Sequence, residues 1–159
     1  MPQQPATPNT FVLERHYPQP IERVFAAFAK PELKRRWFAV GENHEILEFA
    51  SDFQVGGSEK AVYRFIEGTP FSGMLLTNVG SYQDIVTDAR VVTASTMSVG
   101  DQRISASLVT VEFIAAGTGT DLLCTHQGIF FEGSDGPEIR QNGWRKLLEQ
   151  LGTELSSTS

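Results

Sequence analysis

The chain is short of cysteine, histidine, cationic charge and long apolar runs, and each shortage removes a class of protein. A single cysteine, Cys124, among 159 residues excludes an intramolecular disulfide and leaves burial as the source of stability. The histidines, His16, His44 and His126, show no metal-ligand spacing with one another or with that cysteine, so no metal site is expected. No stretch approaches the roughly 18 apolar residues of a membrane span. Thirteen Lys and Arg against 19 Asp and Glu leave a net charge of -6, which argues against a nucleic-acid binder, since phosphate binding needs clustered cations. The opening MPQQPATPNT lacks the basic and apolar regions of a signal peptide, so a cytoplasmic location is expected.

What is present fits one domain, over residues 10–155, between tails at 1–9 and 156–159 whose composition reads as disordered. FVLERHY at 11–17 reads as a first strand. Pro20 suits a first helical position, and Ile21, Val24, Phe25 and Phe28 follow at the spacing of an amphipathic helix. Pro31 opens a second short helix, with Leu33 and Trp37 four apart and Lys34, Arg35 and Arg36 expected to face mostly outward. From 44 to 131 the pattern turns to strands, at 45–50, 59–66, 74–86, 90–99, 104–114 and 119–131. Turn residues at 56–57, 68–70, 100–101 and 117–119 punctuate them, which implies an antiparallel meander. Pro137 begins a last helix, with Trp144, Leu147, Leu148, Leu151 and Leu155 in one apolar stripe that must cover a face of the sheet. The order is that of an α+β fold.

In LLCTHQG, at 122–128, strand alternation puts Leu122, Cys124 and His126 on one face and Leu123, Thr125 and Gln127 on the other. The first set is the less polar, so Cys124 and His126 are expected to face the long helix. A thiolate–imidazole pair is one reading of them. A buried apolar cysteine beside a hydrogen-bonded histidine is the commoner one, and no third orienting group is evident.

Several stretches, in this order, resemble the SRPBCC superfamily, the helix-grip fold of START lipid-transfer domains and the birch-pollen allergen group. They are ERHYPQPIERVFAAFAKPELKRRWF, DFQVGG, SYQDIV, ARVVTAS, SLVTVEF with GTGTDLLCTHQG, and GWRKLLEQL. Within that superfamily the likeness is to single-domain relatives of the C-terminal domain of the heat-shock protein 90 ATPase activator. The resemblance implies a curved antiparallel sheet of about seven strands wrapped around the C-terminal helix, with two short helices after strand 1 and an apolar cavity between sheet and helix. It does not select one function, because the superfamily includes lipid carriers, cyclases and co-chaperones.

Candidate ligand-binding residues are Trp37, Phe38, Tyr63, Phe65, Tyr82, Met97, His126, Phe130, Trp144 and Leu148. The leading expectation is binding of a small, mostly apolar molecule, lipid-like or aromatic, without cofactor or metal, by a monomer or homodimer. One alternative is a cofactor-free polyketide cyclase or dehydratase, with His126 or Tyr82 moving protons. The sequence offers few inward polar residues for that chemistry, so an enzyme is not the leading reading. Another alternative is a co-chaperone-like interaction module, using Arg23, Lys30, Lys34, Arg35 and Arg36 toward an acidic partner.

Overall fold

A computed structural model of the chain describes residues 6–39, 44–66 and 72–157. Strand β1 (Thr7–Tyr17) leads into two short helices, α1 (Ile21–Ala29) and α2 (Pro31–Phe38). Six strands follow: β2 (His44–Ser51), β3 (Ser58–Phe65), β4 (Leu75–Val86), β5 (Arg90–Val99), β6 (Gln102–Ala116) and β7 (Gly119–Phe130). Helix α3 (Pro137–Ser157) closes the order. The strands form one seven-stranded antiparallel sheet, ordered β1-β7-β6-β5-β4-β3-β2. The helix-grip architecture expected from the sequence is therefore the one adopted. None of the described helices is long and apolar enough to cross a membrane.

Register shifts that leave an extra residue in β2, β4 and β6 add local bends of the kind that let a sheet curl. The β5–β6 and β6–β7 hairpins turn on glycines in the left-handed region, Gly100 at φ 58° and Gly117 at φ 63°, as the turn pattern required, while Asp88 at φ 60° serves between β4 and β5. The turn expected at 68–70 lies outside the described residues.

Strand β1 starts earlier than its sequence suggests. Thr7, Pro8 and Asn9, assigned above to a disordered tail, stand opposite Phe130, Ile129 and Gly128 of β7. The open edge of β7 supplies partners there, and β1 lies at the sheet margin, where a proline is tolerated.

The core lies between sheet and helices. Val24, Phe25 and Phe28 of α1 and Leu148, Leu151 and Leu155 of α3 pack against Phe11, Leu13, Val111, Phe113 and Leu122 of the sheet. Helix α2 departs from expectation: Lys34 is buried, not outward. Trp37 and Phe38, three and four residues on, bring its side of the helix against the core.

Helix α3 is seated by polar contacts as well. The Tyr17 hydroxyl donates to the Leu148 carbonyl at 2.7 Å, and Arg23 donates to the Leu155 carbonyl at 2.6 Å. Gly152 makes room for the tyrosine, since a Cβ there would lie 3.3 Å from Tyr17 Cε1. Burial holds the Tyr17 phenol well above its ordinary pKa, so it stays a donor. Tyr17→Phe keeps the ring and loses this bond, and is expected to cost about 1 kcal/mol in urea unfolding without changing the fold.

Candidate functional site

Between the sheet and the helices lies a cavity of about 40 Å³. Its apolar walls are Phe28, Phe38, Val91, Val109, Val111 and Trp144, and its polar lining is Lys34, Glu59, Asn78, Thr93 and Ser95. Phe38 and Trp144 are half-buried, with ring centres 6.1 Å apart. A broad depression on the outer side of α3, along Glu149, Gly152 and Thr153, is open to solvent and encloses nothing.

The polar lining is anchored by a buried ion pair. Lys34 Nζ of α2 donates to Glu59 Oε2 of β3 at 2.6 Å, and each side chain is only 8% exposed. The Tyr82 hydroxyl of β4 donates to the same oxygen at 2.5 Å. Since the phenol proton is committed to Glu59, Ser51 Oγ donates to Tyr82 at 2.7 Å. Burial first, and the Glu59 charge second, hold the Tyr82 phenol well above its ordinary pKa, so it keeps its proton. The Lys34 ammonium also lies 4.4 Å from the Phe38 ring centre, a cation–π contact that helps offset its lost hydration.

His126 and Cys124 face inward from β7, as the alternation implied. His126 is 1% exposed and stacks on Phe11, with ring centres 4.6 Å apart and planes within 4°. Burial, with the nearby Arg140 guanidinium second, lowers its pKa to about 4, so the ring is neutral at pH 7. Cys124 is fully buried, and burial pushes its thiol up to about 12. A thiol held protonated gives the nucleophile reading no support.

The other candidate residues divide among four places. Phe38 and Trp144 line the cavity, and Tyr82 reaches it through Glu59. Trp37 is fully buried and donates its indole N–H to the Ala27 carbonyl at 2.9 Å, a link between α2 and α1. Leu148 belongs to the main core. Tyr63, Phe65 and Met97 pack around a separate cluster of Leu76, Val99 and Ile104. Phe130 lies between His126 and the Arg140 guanidinium, 5.0 Å from the latter.

The inward polar residues are more numerous than the sequence suggested. Glu59, Asn78, Thr93 and Ser95 were not among the candidates, and Lys34 was expected on an outward basic face, although Glu59 and Lys34 carried a signal. Glu59 shares strand parity with Ala61, Tyr63 and Phe65, so extending that alternation one step turns it inward. Lys34 shares a helix side with Trp37 and Phe38. The basic group around the short helices is also largely committed: Lys34 to Glu59, Arg23 to the end of α3, and Arg36 to Glu154 at 3.3 Å.

The family model for Activator of Hsp90 ATPase homolog 1-like protein matches residues 18–156. An uncharacterized protein from Rhizobium leguminosarum is similar at 38% identity and a TM-score of 0.86, over 96% of this chain and 97% of that one. The Mll3558 protein from Rhizobium loti is 42% identical with a TM-score of 0.81, over 94% and 98%. An AHSA1-like protein from Aeromonas hydrophila shares the fold at 21% identity and a TM-score of 0.65, over 94% and 93%. Among curated proteins none matches.

Lys34→Met leaves the Glu59 charge buried without its partner, and is expected to cost about 3–5 kcal/mol in chemical denaturation. Adding Glu59→Gln to it should recover much of that loss. The His126 shift gives a pH dependence of definite sign. Its folded value lies below 6.5, so its contribution is complete above pH 6.5 and is lost as pH falls toward 4. The loss is about 3 kcal/mol. The His126→Phe variant should lack this component when stability is measured across that window.

Proposed function

The chain belongs to the family of Activator of Hsp90 ATPase homolog 1-like proteins, and we propose that it binds a small, mostly apolar molecule in the cavity between the sheet, α2 and α3. The wider family includes ligand-binding and polyketide cyclase-like members. The observation that carries the reading is the buried Lys34–Glu59 pair on the cavity wall, surrounded by Phe28, Phe38, Val91 and Trp144. A buried ion pair adds little net stability compared with apolar residues of the same size. At a cavity, however, it supplies oriented donors to a ligand oxygen, while the apolar walls supply affinity. The reading includes a cytoplasmic location and no resident cofactor.

The cavity is far below the roughly 300–1,000 Å³ of small-molecule sites, so binding requires Phe38 and Trp144 to swing outward. Their half-buried position supports that route.

A cofactor-free cyclase or dehydratase is the second reading, favoured by Tyr82 beside Glu59 and Lys34. With its proton held by Glu59, Tyr82 would act there by positioning that carboxylate and not as a base, which leaves the Lys34 ammonium as the donor to a carbonyl oxygen. The interaction-module reading has less support, because three of its five cations are committed within the fold.

Native mass spectrometry of protein purified without detergent is expected to show a stoichiometric adduct that is released on denaturation. Ser95→Leu fills the cavity and should remove the adduct while leaving the fold intact. A wild-type protein that stays free of adduct after incubation with a cellular small-molecule extract overturns the reading.

A further inference from the structure

One row of residues crosses the inner face of the sheet with almost no side-chain volume. Glu59 stands opposite Gly80, Gly80 opposite Ser95, Ser95 opposite Ser107, and Ser107 opposite Gly128. The rows on either side are bulkier: Tyr82, Thr93, Val109 and His126 on one, Ala61, Asn78, Met97, Ser105 and Phe130 on the other. The result is a trough between two ridges. The cavity occupies its Glu59, Gly80 and Ser95 end.

A row of small residues is not a site by itself, but a second observation points to a ligand at its far end. His126 Nδ1 is buried and has no hydrogen-bond partner among the described residues. The ring edge that carries it faces the trough, because a Cβ on Gly128 would lie 2.8 Å from Cε1 and 3.4 Å from Nδ1. Glycine at 128 therefore lets the imidazole lie close over the row, with the Phe130 ring edge beside it. An orphaned buried polar atom carries a desolvation penalty that a bound hydroxyl would recover.

We propose that the ligand lies along this trough, with one oxygen on Lys34 and a hydroxyl on His126 Nδ1, and that it is a neutral molecule oxygenated near both ends. The inference rests on the cavity reading above and names the ligand class for it. Neutrality follows from the charges at the two ends. Lys34 is balanced by Glu59, and Arg140 beside His126 is balanced by Asp135 through two bonds of 2.8 Å. A carboxylate at either end would face an acidic side chain without a cation to spare. A hydroxyl both donates and accepts, so it satisfies Nδ1 in either tautomer of the neutral ring. The trough spans four strand spacings, roughly 19 Å, and the side chains reaching in from its ends make the ligand shorter than that.

Alkanediols with a hydroxyl at each end, from hexanediol to dodecanediol, test this against primary alkanols of the same lengths. Alkanols are expected to tighten steadily, roughly fourfold per methylene. Diols are expected to show an optimal length, at which they bind about tenfold tighter than the matching alkanol. At that length the ring nitrogen resonances of His126 should move, and with alkanols they should not. His126→Phe keeps a ring in the stack with Phe11 and should lose the diol preference while retaining alkanol binding. If alkanols bind but no diol gains an advantage, or if the advantage survives in His126→Phe, the trough inference is overturned and the cavity reading stands. If neither series binds, both are overturned.

Discussion

The Lys34–Glu59 ion pair constrains more of this structure than any other contact. Removing two charges from water costs several kcal/mol per ion, so the pair is tolerable only with further hydrogen bonds around it. Tyr82 and Ser51 provide them, which draws β2, β3 and β4 together beneath α2. The same requirement fixes the roll of the short helix. With Lys34 turned inward, Trp37 is carried to the Ala27 carbonyl of α1, and Phe38 is carried over the ammonium. One polar contact therefore sets both the floor of the cavity and part of its roof.

A second balanced charge pair does comparable work at the start of α3. Arg140 holds Asp135 with two bonds and reaches Ser105 of β6 at 2.9 Å, while its guanidinium lies over Phe130. That ties the helix entrance to the sheet, as Tyr17 and Arg23 tie its later turns. Gly143 and Trp144 fall between the two held segments. A glycine inside a helix costs about 1 kcal/mol relative to alanine; at Gly152 the Tyr17 contact accompanies that cost, whereas Gly143 lies beside the indole that covers the cavity.

The architecture was legible because its signals are local. Helical stripes in α1 and α3, strand alternation in β7 and glycine turns between hairpins all act within a few residues, and the resemblance supplied their arrangement in space. The inward placement of Cys124 and His126 followed from parity alone. The site was less legible because its key pair joins residues 25 apart in sequence, both of types that ordinarily face water. Hydrophobicity pointed instead to Tyr63, Phe65 and Met97. Their inward parity was a sound guide to burial, but the length of the sheet places them in a separate cluster with Leu76, Val99 and Ile104. Parity identifies a face of a sheet; it does not say which part of that face shares a cavity.

The division of labour inside the cavity follows from its size. On the binding proposed above, with about 40 Å³ empty, a ligand would have to displace Phe38 and Trp144 before it could gain burial. Each ring is only partly buried, so moving it outward forfeits less than the roughly 1.5–3 kcal/mol that full burial of a large side chain provides. A ligand of several methylenes, at about 0.8 kcal/mol each, can exceed that loss without any polar contact. Polar groups therefore contribute little to whether the site opens. Their effect lies in discrimination, because a ligand that leaves Lys34 unsatisfied, or sets a carboxylate against Glu59, incurs a desolvation penalty that apolar burial of similar size cannot offset.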